Sequence, residues 1–151
     1  MGIQTGDYLT PARLNTRSVR ARRTTTLSLT SGSVTAVPFD AEDWDNAAMF
    51  SATSSNISLP VAGLWGFAGF GAIQSNATGL RRLLVDVNSS GTFSPAVNSR
   101  PPVSGDNTHI TISGSHVATA GDTLQLCAHQ TSGGALNLLA NAYFTVWLIE
   151  S

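Results

Sequence analysis

The stretch LPVAGLWGFAGFGA, from Leu59 to Ala72, carries no charge and is interrupted only by a proline and four glycines. A membrane segment, a glycine-rich ligand loop and a buried strand can all look like this. The run is too short to span a bilayer as a helix, which takes about 20 apolar residues, and its glycines disfavour a helix in any case. A phosphate-binding loop needs a strand, a tight turn and then a helix, and no helical pattern follows. Leu59 and Val61 alternate, and Leu64 to Phe70 is almost continuously apolar. That is the pattern of a strand buried on both faces. One face is expected to meet a sandwich core and the other something apolar outside the domain, most simply a neighbouring subunit. Gly63, Gly66, Gly69 and Gly71 permit close backbone approach or a bulge.

Working outward, the other patterned segments also read as strands. TTTLSLT alternates through Leu27 and Leu29, and SVTAVPF follows Ser31-Gly32. HITIS alternates through Ile110 and Ile112, and DTLQLCA follows the turn Ala120-Gly121-Asp122. In the closing AYFTVWLIE, Phe144, Val146 and Leu148 share one face and Tyr143, Thr145, Trp147 and Ile149 the other. Turn clusters fall at 88–91, 98–107 and 131–134. Short alternating runs between frequent turns predict an all-β sandwich or jelly roll.

The chain has 151 residues, enough for one domain with a sizeable core. Charged residues are only 11%, net charge is −1, and all eight basic residues are arginine. A balance so near neutrality gives no general attraction to nucleic acid or to acidic membranes. So few charges leave Ser, Thr and Asn to cover the surface, or leave part of it to be covered by further copies of the chain. The opening MGIQTGDYLT lacks the basic-then-apolar pattern of a secretory signal, and Gly at the sixth position breaks the myristoylation pattern. The single cysteine, Cys127, rules out an intrachain disulfide and is expected to pack as a small inert residue.

From Phe39 onward the chain resembles the C1q-like domain. In that family's signature a phenylalanine is followed after five residues by Asn or Asp, here Phe39 and Asp45, and after four more by an aromatic, here Phe50. Ile57 stands where the family has phenylalanine. The Gly-x-Tyr-x-Phe element appears as Gly63-Leu64-Trp65-Gly66-Phe67, and Phe70 comes one place later than the family's next aromatic. GDTLQL and AYFTVWLI resemble the late turn and closing strand. Over residues 24–151 the resemblance implies the jelly-roll sandwich shared with tumour necrosis factor, a homotrimer and no reaction. It assigns Phe39, Phe50, Trp65, Phe67, Phe70 and Phe144 to the core or the trimer interface.

Residues 1–23 read as a separate arm carrying five of the eight arginines. Thr10 is an expected N-cap and Pro11 a first helical residue, so LTPARLNTRSVRARR predicts a helix of one or two turns. Nucleic-acid binding, a disordered linker and docking on a larger assembly are three readings of this arm. The capped start favours docking, with Tyr8, Leu9 and Leu14 as apolar anchors and Arg13, Arg17 and Arg20 as charged ones. TGDYLTPARLN also resembles openings of tailed-phage fibre, tail and head-decoration proteins. Together the two resemblances imply a non-enzymatic virion protein that assembles in the host cytoplasm. It would be a homotrimeric knob bound to capsid or tail proteins. The alternative is a recognition module for a host cell-surface glycan or protein.

The sequence offers no active site. His109, His116 and His129 show no zinc-ligand spacing, and no Gly-x-Ser-x-Gly elbow is present. No cofactor or metal is expected, and neither nucleic acid nor membrane is an expected partner. DAEDWD, with Asp40, Glu42, Asp43 and Asp45, reads as a solvated acidic loop rather than a calcium site. Trp44 within it is the candidate ligand contact. Arg81-Arg82 reads as an exposed pair, with salt bridges across a subunit interface as the other reading. Asn56, Asn76 and Asn88 begin glycosylation triplets that chance accounts for.

Overall fold

A computed structural model of the protein describes residues 17–91 and 94–151. Among these the chain forms twelve strands and no helix. They are β1 (Ser18–Arg22), β2 (Leu27–Leu29), β3 (Val34–Ala36), β4 (Ala41–Asp45), β5 (Asn56–Ser58) and β6 (Gly63–Ile73), then β7 (Arg81–Val87), β8 (Ala96–Arg100), β9 (Thr108–Ala118), β10 (Thr123–Gln130), β11 (Leu136–Leu138) and β12 (Tyr143–Glu150). Every pairing is antiparallel. The first sheet runs β4-β1-β12-β6-β9, and β2 and β11 pair beside β6 beyond the end of β12. In the second, β8, β7 and β10 lie side by side, with β3 and β5 in line along the far edge of β10. The two layers make the expected all-β jelly-roll sandwich.

The stretch at 59–72 supplies the central strand. β6 pairs along its whole length with β9, from Gly63↔Ala118 to Ile73↔Thr108, and on its other edge with β12. Trp65, Phe67 and Ile73 turn inward and are fully buried, with Phe144 and Val146 of β12, Ile110 of β9, Leu83 and Val85 of β7, and Leu124 and Leu126 of β10. Phe67 and Phe144 meet with ring centroids 6.2 Å apart. Phe39 is fully buried, and Phe50, half-buried at the rim, meets it edge-on at 6.5 Å. The face assignment in the last strand holds, since Phe144 and Val146 are inside and Ile149 is outside.

Three expectations change. The stretch 18–22, given to the arm and its helix, is a strand between β12 and β4, and Val19 and Ala21 are fully buried. The folded domain therefore begins by Ser18 rather than at residue 24. Alternation of buried Val19 and Ala21 with Arg20 and Arg22 has the period of a strand, and pairing on both edges satisfies its backbone. The helix start at Thr10-Pro11 lies outside the described residues. Next, residues 41–45 are not a loop but the edge strand β4. Its acids do not repel one another out of the sheet because Asp43 is matched by the arginines of β1 (below).

Arg81, last, is neither exposed nor at an interface. In β7 it shares the inward phase of Leu83 and Val85 and is fully buried. At the end of the sandwich its guanidinium donates to the carbonyls of Thr78 and Leu80 (both 3.0 Å) and Asn76 (3.2 Å), tying down the loop that precedes it. Arg82, one residue on, points out and donates to Ser99 Oγ at 3.0 Å.

Candidate self-association face

The outer face of the first sheet follows from strand period. With Trp65, Phe67 and Ile73 inward, β6 presents Leu64, Gly66, Ala68, Phe70 and Ala72 outward. The register sets Tyr143, Thr145 and Trp147 of β12 beside them on one edge, and His109, Thr111, Ser113, Ser115 and Val117 of β9 on the other. None of these side chains is an acid, arginine or lysine, and the one acid of β12, Glu150, pairs with Leu64 past the bulge at the exposed end of the strand. Phe70 and Leu64 are half-buried, and Val117 and Ile149 are 74% and 53% exposed.

Gly66 shapes the centre. A Cβ built there would lie 2.5 Å from Cε2 of Trp147, so the indole lies directly on the glycine backbone. A flat aromatic surface results in place of a knob. Across the sheet the aromatic groups form one row. His109 meets Phe70 at 5.9 Å, and Phe70 stacks on Tyr143 at 5.6 Å and 24°. The guanidinium of Arg20 sits 3.9 Å from the Tyr143 ring centroid and 5.7 Å from that of Trp44. Cation–π contact of this kind favours arginine over aromatic rings. The row thus crosses β9, β6, β12, β1 and β4.

Charge is confined to the rim. Asp43 takes Arg20 Nε at 3.1 Å and Arg22 Nε at 3.0 Å. Asp45 accepts the amides of Ala47 and Phe50, fixing the turn after β4. Although partial burial works against ionisation of Asp40, hydrogen bonds from Thr24 and Thr25 and the charge of Arg23 hold its carboxyl below the usual range. At the opposite end of the sandwich Asp122 is also held low, by Asn88 Nδ2 at 2.9 Å, by the Thr119 amide and by nearby His116. The Thr123 amide donates to Oδ1 of the same Asn88, so one residue pins the turn before β10.

Cys127 faces outward on β10 but is buried, and desolvation together with Asp86 pushes its thiol up to about 12. It is a protonated packing group at neutral pH, with no nucleophilic character. Burial, reinforced by Arg82 and partly offset by a hydrogen bond to Gly32, lowers the pKa of His129. Among the described residues no group of three His, Cys, Asp or Glu is arranged to hold a metal ion, and no helix is long and apolar enough to cross a membrane.

The residues singled out in the sequence therefore separate. Phe39, Trp65, Phe67 and Phe144 belong to the core, and Trp65 donates its indole N–H to the Val61 carbonyl at 3.2 Å. Phe70 belongs to the outer face. Arg20 is engaged within the domain by Asp43 and Tyr143. Arg17 is tied through its carbonyl to the Leu148 amide at 2.9 Å, with its side chain exposed. Trp44, 43% exposed, stands on edge strand β4. Tyr8, Leu9, Arg13 and Leu14 lie outside the described residues. Sequence reasoning missed Tyr143 and Trp147 as members of the face, although their alternation with Phe144 and Val146 carried the signal.

No protein-family model matches the chain, and no curated protein sequence matches it. Solved structures do. The globular domain of zebrafish complement 1qA protein superposes with a TM-score of 0.67 at 15% identity, covering 88% of this chain and 97% of that one. Murine APRIL at pH 5.0 superposes at 0.68 and 12% identity, covering 89% and 99%. The same protein at pH 8.5 gives 0.64 and 9%. At such identities the likeness is one of fold, and the chain has the jelly roll of the C1q and tumour necrosis factor type.

Proposed function

We propose that this chain is a non-enzymatic structural domain that self-associates as a homotrimer through the outer face of β6, β9 and β12. The observation that carries the reading is that face itself, a surface of Leu64, Phe70, Tyr143 and Trp147 with charge only at its border, Arg20 beside Tyr143 and Glu150 beside Leu64, among the described residues. Contiguous apolar patches on a folded surface mark interaction sites, and aromatic residues enrich interface centres. The resemblance to C1q-like domains supports three copies rather than two.

The resemblance of residues 5–15 to tailed-phage virion proteins supports a place on a virion, as a knob on capsid or tail held by the N-terminal arm. Light scattering at micromolar concentration tests the assembly. The expected mass is that of a trimer, and Phe70→Arg is expected to give folded monomers, because it buries an unpaired charge. A wild-type monomer overturns the reading. Imaging the assembled particle tests the virion role separately. A second reading, a recognition module for a host cell-surface glycan or protein, has support in the exposed indole of Trp44.

A further inference from the structure

We propose that the cleft between the end of β8 and the start of β9 is a binding site for a carboxylate-bearing sugar. The cleft, open to solvent, has a volume of about 310 Å³ and is lined by Arg100, Pro101, Val103, Asn107, Thr108 and His109. That is at the lower end of the size range of small-molecule sites, roughly 300–1,000 Å³, and suits a single acidic sugar ring.

The polar groups of this cleft are mostly hydrogen-bond donors. Among the described residues Arg100 makes no ion pair, and its guanidinium makes no hydrogen bond. Asn107 accepts the Ser75 amide through Oδ1 at 3.2 Å, which fixes its orientation and leaves its Nδ2 without an acceptor. The His109 ring is steadied by its contact with Phe70 at 5.9 Å. Thr108 is 3% exposed, and among the described residues its buried hydroxyl has no hydrogen-bond partner. The adjacent carboxylate, Asp106, is turned to the Asn107 amide at 2.7 Å. A planar guanidinium beside further donors is matched by a carboxylate, which accepts two parallel hydrogen bonds from it. Pro101 and Val103 supply the apolar wall against which the non-polar side of a sugar ring packs.

The site does not depend on a virion and is separate from Trp44, and of its lining residues His109 also stands on the outer face of β9 beside Phe70. Its test is a titration of the full chain, followed by NMR of the Arg100 and His109 side chains. The probes are D-glucuronate, N-acetylneuraminate, N-acetylglutamate as a carboxylate without a sugar, and D-glucose as a sugar without a carboxylate. At least one acidic sugar is expected to shift both side chains saturably, with N-acetylglutamate and glucose binding at least about tenfold more weakly. Arg100→Gln is expected to weaken binding by about tenfold or more with an unchanged melting temperature, since the guanidinium has no partner among the described residues. Trp44 has no part in this cleft, so Trp44→Ala is expected to bind as wild type. No saturable shift with either acidic sugar overturns the site. So does an Arg100→Gln chain that binds as tightly as wild type. Equal binding of N-acetylglutamate overturns the assignment to a sugar.

Discussion

At the scale of single residues, environment decides what each side chain does. Phe67 is fully buried against Phe144, so Phe67→Ala is expected to cost about 3–5 kcal/mol in chemical denaturation, from lost transfer energy and the cavity left behind. A chain that melts like wild type would put Phe67 outside the core. Cys127 should be silent toward thiol reagents at pH 8 in the native chain and react once unfolded, since the reactive thiolate is suppressed by burial. The sign of its linkage is also defined. Its folded pKa lies above the unfolded one, so the folded state keeps a proton that the unfolded state loses. Its contribution to stability is full below the unfolded value near 9.0 and declines as pH rises toward about 12. Cys127→Ala should remove that part of the alkaline loss.

At the scale of elements, β4 shows how an acidic segment becomes a strand. Asp43 bridges Arg20 and Arg22 across the β1–β4 pair, and both partners are about a third exposed, so solvent screens them. Asp43→Asn is expected to cost only about 0.2–1 kcal/mol, and less in high salt. A larger loss, unaffected by salt, would mean that packing rather than charge holds the edge. Asp40 and Asp122 work at turns, and both have folded pKa values below their unfolded ones. The stability they contribute is present above the usual carboxylate range and is lost as pH falls through their lowered values. Acid unfolding of Asp122→Asn should accordingly lose part of the wild-type dependence in that window. The sequence alone did not mark β4 as a strand. Its three acids, Glu42, Asp43 and Asp45, fall on both phases of the strand, so the pattern that betrays a half-buried strand is missing, and its pairing partner is about 20 residues away.

At the scale of the whole molecule, the boundary of the arm governs what a deletion does. Removing residues 1–16 leaves every described strand intact, so the sandwich and its self-association are expected to survive while attachment to a particle is lost. Extending the deletion through residue 23 also removes β1. Val19 and Ala21 leave the core, and β12 and β4 lose the strand that joins them. Circular dichroism and light scattering should show a folded assembly for the first truncation and an unfolded or aggregated chain for the second. Full incorporation of the shorter truncation into particles would end the attachment role of the arm, and a cooperatively folded longer truncation would show β1 to be dispensable.

The sequence by itself determined the class of fold and its central strand. Apolar alternation through 25–39, 109–113, 123–128 and 143–150, and the uncharged run at 59–72, are local signals that need no partner to be read. It also separated Phe144 and Val146 from Tyr143 and Trp147, because a strand's period of two leaves no other arrangement. Tertiary structure decided where local signals conflict or are absent. β1 follows a helix-start pattern, yet it is held as a strand by pairing on both edges. Arg81 follows Leu80 in a pair that looks exposed, and only the end of the sandwich, with three free carbonyls from the 76–80 loop, makes its burial affordable. The row from His109 to Trp44 joins residues up to 123 positions apart in sequence, Arg20 and Tyr143, through side-by-side strand registers. No periodicity along one segment encodes such a contact, because it depends on which strands become neighbours.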